Sequence, residues 1–208
     1  MLNREVIVMS LKNTVRFSGI VLIIAAIGRI VAEILDLAQV EQTPTLLILP
    51  VLVFIALVFG VPGIYLLQAE EGEGDWLTFS GTFALATAFL LFAAMTILMI
   101  VTGMPEAELA ATAGGWFMVS FGLWSIGTLL VGIGTIRSQL YPTWPGVLFL
   151  GWLLLVLASF FIPAVPAVVE SIGATIGAIG LAGFGWLIQG HKLEAAEPKR
   201  PFKHAPQT

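Results

Sequence analysis

Six apolar segments, each long enough to cross a bilayer, constrain the fold of this chain more than any other feature of its sequence. We place them at residues 15–36, 45–67, 79–102, 113–136, 144–163 and 166–189. The hydrocarbon core of a bilayer is about 30 Å thick, and a helix needs about 20 consecutive apolar residues to cross it. The sequence therefore predicts an all-α membrane protein with six transmembrane helices.

Composition supports this interpretation and leaves little room for a soluble domain. Hydrophobic residues make up 58% of the chain and charged residues only 11%, whereas about a quarter of the residues of a soluble domain are charged. We expect a cytoplasmic N-terminal segment at 1–14, a transmembrane domain at 15–189 and a disordered cytoplasmic tail at 190–208. No small-residue cleavage site follows the first apolar segment, so we expect a retained helix instead of a signal peptide.

The positions of Lys and Arg predict the orientation of the helices. Eight of the nine basic residues fall on one side of the membrane if both ends of the chain lie on that side. They are Arg4, Lys12, Arg16, Arg137, Lys192, Lys199, Arg200 and Lys203. Because Lys and Arg are enriched in cytoplasmic connections, we expect both termini in the cytoplasm of a multi-pass protein of the plasma (bacterial inner) membrane.

The first, third and fifth segments begin with similar residues. Each begins with an aromatic residue, then a small residue or Pro, then Gly. The three sites are Phe17-Ser18-Gly19, Phe79-Ser80-Gly81 and Trp144-Pro145-Gly146. This pattern predicts three helical hairpins. It leaves open whether they are an internal repeat, because aromatic residues and Gly are common at span ends.

Regularly spaced glycines mark the sixth segment as a tightly packed helix. Gly173, Gly177 and Gly180 lie at intervals of four and three residues, which places them on one face. Small residues let transmembrane helices approach closely, where lipid supplies no hydrophobic driving force for association. We expect these glycines to pack within the bundle or to form an oligomer interface.

Four charged residues form the candidate functional cluster. Arg29, Glu33 and Asp36 are spaced i, i+4 and i+7 on one face of the first segment, and Glu170 lies near the start of the last. We expect Arg29 to bind Glu33 within its own helix and Glu170 across the bundle. The cluster is either an ion, proton or substrate site or a structural ion pair. Glu170 is also favoured by the dipole of its own helix.

The residue inventory excludes several kinds of chemistry. The chain has no Cys, its two histidines (His191 and His204) follow the last apolar segment, and no Lys lies within any apolar segment. Haem ligation by His, thiolate or imidazole metal sites and a Schiff-base lysine are therefore not expected inside the bundle. Known hydrolase, metalloprotease and nucleotide-binding motifs are missing. We expect a non-enzyme without cofactor or metal, and no nucleic-acid binding.

Several short motifs resemble those of small six-span bacterial integral membrane proteins that are grouped as a domain of unknown function. The motifs are residues 63–70 (GIYLLQAE), Leu77, Gly81, Arg137, residues 140–146 (LYPTWPG) and Gly151-Trp152. The resemblance implies a six-span fold and supplies no activity. That family carries a basic residue after the Gln-Ala step, where this chain has Glu70-Glu71.

These observations favour a non-enzymatic structural or accessory membrane component, with the lipid bilayer and a second copy or another membrane protein as partners. In that case we expect a filled bundle with paired charges. A first alternative is a small-solute or ion transporter or channel that uses Arg29, Glu33 and Glu170, for which we expect a polar cavity. A second alternative binds lipid or another hydrophobic ligand in an apolar groove. Trp124 and Trp152 either line such a groove or fill the core.

Overall fold

The computed structural model describes residues 4–38, 43–70, 72, 74–138, 142–162 and 167–190. All regular structure in these ranges is helical, in eight segments. They are α1 Arg4–Leu37, α2 Pro44–Gly60, α3 Pro62–Glu70, α4 Trp76–Thr102, α5 Glu106–Thr112, α6 Gly114–Ser138, α7 Trp144–Phe161 and α8 Ala167–Gly190. The expected all-α class is confirmed for these residues.

Five helical stretches are long and apolar enough to cross a membrane. They are Pro44–Glu70 (α2 with α3), Trp76–Thr102, Gly114–Ser138, Trp144–Phe161 and Val168–Gly190. Large hydrophobic side chains such as Phe83 and Leu154 are exposed on their outer surfaces. These helices make the chain a multi-pass membrane protein. The other long helix, α1, carries five charged residues from Lys12 to Asp36 and is not among the five.

For every predicted segment except the first, both ends lie within three residues of the ends of the observed helix or helices. Two differences occur elsewhere. First, α1 begins at Arg4, so part of the expected N-terminal segment is continuous with the first helix. Second, one predicted helix is divided into α2 and α3 by a turn at Val61. Pro62 has no backbone N–H, which interrupts the hydrogen-bond ladder there. The expected disordered tail lies outside the described residues, except for Gly190 at the end of α8.

Six of the helices form a closed ring in chain order. Each of α1, α2, α4, α6, α7 and α8 packs on the next, and α8 packs extensively on α1. We call the end where α1, α4 and α7 finish the open end, and the opposite end the closed end. The short helix α3 lies at the closed end, where it contacts α1, α4 and α8 as well as α2.

Three pairs of glycines bring neighbouring helices into backbone contact, and we call these pairs the glycine crossings. They are Gly19 with Gly185, Gly81 with Gly127, and Gly132 with Gly146. In each pair, a Cβ added to one glycine would lie only 2.6 to 2.9 Å from the carbonyl oxygen of the other. Any side chain would force these backbones apart.

The glycine crossings lie nearer the closed end or at the middle of the bundle, not at the open end. Gly19, Gly81 and Gly146 each lie in the closed-end half of their helix. By contrast, a Cβ on Gly114 or Gly122, in the open-end half of α6, would meet no atom within 4 Å. The helices therefore approach most closely toward the closed end and leave more room at the other.

We expect Gly127→Ala to destabilise the bundle and Gly122→Ala to have little effect. The methyl group at 127 would lie 2.8 Å from the backbone nitrogen of Leu85 and 2.9 Å from the carbonyl oxygen of Gly81, neither of which can rotate away. Overpacking of this kind costs about 1–3 kcal/mol. Thermal unfolding in detergent micelles, followed by the fraction of protein that stays monodisperse, measures the difference. Equal melting temperatures for the two variants would contradict close packing at this crossing.

Candidate functional site

A cavity of about 470 Å³ occupies the open half of the ring. Its deepest lining residues include Leu57 on α2 and Phe89 on α4. Each lies 13 residues from the open-end terminus of its helix (44 to 57 and 89 to 102). At 1.5 Å per residue the cavity extends about 20 Å into the bundle, which is past the middle of a bilayer core of about 30 Å.

The charged residues of the predicted cluster line the mouth of this cavity. Arg29, Glu33 and Asp36 of α1 and Glu170 of α8 all contribute to its wall. Arg29 forms an ion pair with Glu33 one turn away. The Ser171 side chain of α8 lies near the Glu33 carboxylate of α1. The structure therefore brings all four predicted residues to one site.

The expected bond between Arg29 and Glu170 is not formed. Within the described ranges, the ion pair of Arg29 is with Glu33, and none joins it to Glu170. Glu33 is buried beside the guanidinium, whereas Glu170 is exposed in the first turn of α8, where the helix dipole favours a carboxylate. The buried Nε of Arg29 finds no acceptor among the described residues.

Aromatic rings form the wall of the cavity on α2 and α4. Phe54 stacks on Phe89, with ring centroids 6.2 Å apart, and lies 5.6 Å from Phe92. All three rings line the cavity. On this side, the polar mouth gives way within a few turns to an aromatic surface.

A second aromatic cluster lines the opposite wall, on α6 and α7. Phe121 stacks on Phe160 at 5.1 Å and contacts Trp124 at 5.6 Å. Trp124 in turn meets Trp152 edge-on at 4.9 Å. Both tryptophans are more than nine-tenths buried, yet both line the cavity. The two tryptophans therefore pack in the hydrophobic core and also form part of the cavity wall.

Phe89, Trp124 and Trp152 form the floor of the cavity. Below this floor the interior of the ring is filled. Phe149, which is fully buried, packs edge-on against Trp152 at 5.7 Å and against Phe184 at 5.4 Å. Leu22 and Leu85 are also fully buried in the same hydrophobic core. The cavity is therefore open toward one end of the bundle and sealed toward the other.

The predicted packing glycines of α8 support the floor from behind. A Cβ on Gly177 would overlap the Trp152 indole, and one on Gly180 would lie 3.1 Å from Cδ2 of Phe149. A Cβ on Gly173 would lie 3.1 Å from Cβ of Leu155. These glycines pack on α7 within the chain, where they leave space for the Trp152 ring.

Four fully buried polar side chains lie in the other half of the bundle. Gln68 of α3, Thr78 of α4 and Thr128 and Thr135 of α6 are all 0% exposed. The Gln68 amide and the three threonine hydroxyls have no hydrogen-bond partner among the described residues. Nothing in the sequence distinguishes this set, because isolated threonines in a transmembrane helix usually bond their own backbone.

The sequence named Trp124 and Trp152 as candidates to line a groove, and both line the cavity. The phenylalanines of the cavity wall were missed, although one signal was present in the sequence. Phe117, Phe121 and Trp124 are spaced i, i+4 and i+7 on α6, and all three line the cavity. That spacing indicates an aromatic face on one side of the helix. It does not reveal whether such a face borders a cavity or fills a core.

No family model matches this chain. No curated protein and no solved structure matches it either. The resemblance to the six-span bacterial family stays a prediction. Within the described ranges, no group of three or more His, Asp or Glu side chains is arranged to hold a metal ion. The function must therefore be inferred from the geometry of the cavity.

We expect Glu33→Gln to destabilise the protein by about 2 kcal/mol, because it leaves the Arg29 guanidinium without its counter-charge. Breaking a fully buried pair costs about 3–5 kcal/mol, and the loss is smaller here because the Arg29 side chain is 29% exposed. The double variant Arg29→Met/Glu33→Leu should recover most of the stability. Glu170→Gln, an exposed carboxylate at the same mouth, is the control. Thermal unfolding in micelles that gave the same loss for Glu33→Gln and Glu170→Gln would contradict the pairing.

Proposed function

We propose that the chain crosses the membrane six times, with both termini in the cytoplasm and the open end of the ring facing outward. The charge distribution supports this orientation, since Lys12, Arg16 and Arg137 lie toward the closed end and basic residues are enriched on the cytoplasmic side. A stripe of exposed apolar residues supports α1 as the sixth span. It consists of Ile20, Ile24, Ile27, Val31 and Ile34, at helical spacing.

Within this arrangement, we propose that the protein binds a small amphipathic molecule that enters from the outer side. The cavity is the observation that carries the proposal. Ligand sites in proteins are clefts of about 300–1,000 Å³ with mostly apolar walls and a few polar groups that fix orientation. The cavity has this volume, with charged residues at its mouth and aromatic rings at its floor. The proposed activity is non-enzymatic and requires no cofactor.

The cavity argues against a purely structural or accessory role. Protein interiors are close-packed, and a cavity of about 470 Å³ among large side chains departs from the filled bundle expected for a purely structural role. An ion pair that served only to clasp α1 to α8 would join Arg29 to Glu170, whereas Arg29 is paired within α1. Both observations favour the alternatives in which the charged cluster serves a ligand.

A second candidate function, transport of the ligand across the membrane, is supported by the unpartnered polar side chains below the floor. Thr128 lies four residues after Trp124, and Thr135 lies eleven residues after it. The two threonines therefore continue the cavity face of α6 toward the closed end. Buried hydroxyls without partners are costly in an apolar interior. An inward-open state, in which water or ligand reaches Thr128, Thr135 and Gln68, would give them partners.

Because the chain has no native Cys, thiol labelling tests the proposal directly. We expect Thr96→Cys, in the cavity wall, to react with a charged, membrane-impermeant thiol reagent added outside intact cells. Ile97→Cys lies at the same depth but is 44% exposed on the outer surface of the ring; it should not react, because a thiol surrounded by lipid stays protonated and out of reach.

Each other outcome of this labelling has a distinct meaning. Absence of reaction at both positions would indicate a dry interior and overturn the binding proposal. Reaction of Thr96→Cys only in inside-out vesicles would reverse the proposed orientation. The transport candidate predicts in addition that Thr128→Cys is labelled from the cytoplasmic side in a fraction of molecules. If it is never labelled there, ligand binding without transport is favoured.

A further inference from the structure

The charges at the mouth of the cavity do not balance. One guanidinium (Arg29) and three carboxylates (Glu33, Asp36 and Glu170) line it, so its formal charge is −2. The ion pair between Arg29 and Glu33 uses the only cation in this set. The mouth therefore keeps an excess of negative charge.

The rest of the open end adds no positive charge to offset this excess. The sequence has no Lys or Arg between residues 30 and 136, or between 138 and 191. The short helix α5, whose Leu109 lines the cavity, has no Lys or Arg either. Low-dielectric walls focus the field of such charges into a cleft and attract ligands of opposite sign. An anionic amphiphile would be repelled along the whole approach to the cavity.

Beyond the mouth, the walls suit a cation that carries apolar groups. Eight aromatic side chains line the cavity, including Phe54, Phe121, Trp124 and Trp152. The faces of Trp and Phe rings attract cations at distances up to about 6 Å, and the attraction strengthens to about 2 kcal/mol when water is excluded. A strongly hydrated inorganic ion would lose its water in such a chamber without gaining oxygen ligands. An organic cation with apolar substituents would gain both the attraction of its charge to the aromatic faces and apolar contact with the walls.

We propose that the ligand of this cavity is a lipophilic organic cation, of the quaternary ammonium or phosphonium class. Its charge is held between the carboxylates of the mouth and the upper aromatic rings, and its apolar groups contact Phe89, Trp124 and Trp152 at the floor. This inference rests on the proposed binding function and adds the sign and chemical class of the ligand.

Two ions of the same size and shape but opposite charge test the inference. Tetraphenylphosphonium and tetraphenylborate are compared by equilibrium dialysis against the protein in lipid nanodiscs, with empty nanodiscs to subtract partition into lipid. We expect saturable binding of the phosphonium ion at one per chain, and binding of the borate ion at least about tenfold weaker, which corresponds to about 1.4 kcal/mol.

A matched pair of variants locates the charge that is responsible. Glu170→Gln, in the cavity wall, should weaken binding of the phosphonium ion about tenfold. Glu108→Gln, another exposed carboxylate at the same end that does not line the cavity, should leave it unchanged. Both side chains are exposed, so neither substitution is expected to impair folding. Equal losses in the two variants would mean that a general surface charge, and not the cavity, attracts the ion, and would overturn the inference.

The failures of this inference and of the proposed function are distinguishable. Equal binding of both ions would overturn the cation preference while it supports a ligand cavity. Binding of neither ion, with Thr96→Cys still labelled from outside, would also overturn the inference but leave a water-filled cavity for another ligand. Binding of neither ion together with an unreactive Thr96→Cys would overturn both.

Discussion

The backbone contact at the three glycine crossings is the constraint on which the rest of the structure depends. Lipid is as apolar as the helices, so close packing of small residues must supply much of the energy that holds a membrane bundle together. Gly19 with Gly185 closes the ring between its first and last helices, while Gly81 with Gly127 fixes α4 on α6. Straight helices that approach closely toward one end must diverge toward the other. The cavity follows from that divergence.

The same divergence explains how charged side chains are tolerated inside the ring. A charge near the middle of a bilayer is costly unless it is paired or reaches water. Arg29 and Glu33 satisfy each other within one helix, and they do so where the helices have separated enough to form a mouth. In the tightly packed half, polar groups are instead small and uncharged, such as Thr78 and Thr128. The fully buried polar side chains toward the closed end are thus uncharged, whereas the charged pair lies at the mouth.

The sequence predicted the helices well and the site only in part. Segment lengths follow from bilayer thickness and hydropathy, which are local properties, so five predicted segments ended within three residues of the observed helices. By helical rise alone, two carboxylates, Glu33 and Glu170, lie at a height where they could pair with Arg29. Which of them does so depends on the rotation and tilt of α8, which helical rise does not give. Whether Trp124 and Trp152 fill a core or line a cavity depends on a few ångströms of helix separation, which no periodicity encodes.

The seal at the closed end is built differently from the glycine crossings, and this bears on transport. The helix α3 takes part in none of those crossings, and its first residue, Pro62, follows the turn at Val61 and lacks the backbone N–H that would continue the ladder from α2. It carries Gln68, whose amide is buried without a partner in the described part of the chain. Displacement of α3 would expose Gln68 to water and open the closed end while the crossings stay intact. The helix α3 thus combines an interrupted backbone connection with a buried amide that would gain partners by moving, which links the transport candidate to α3.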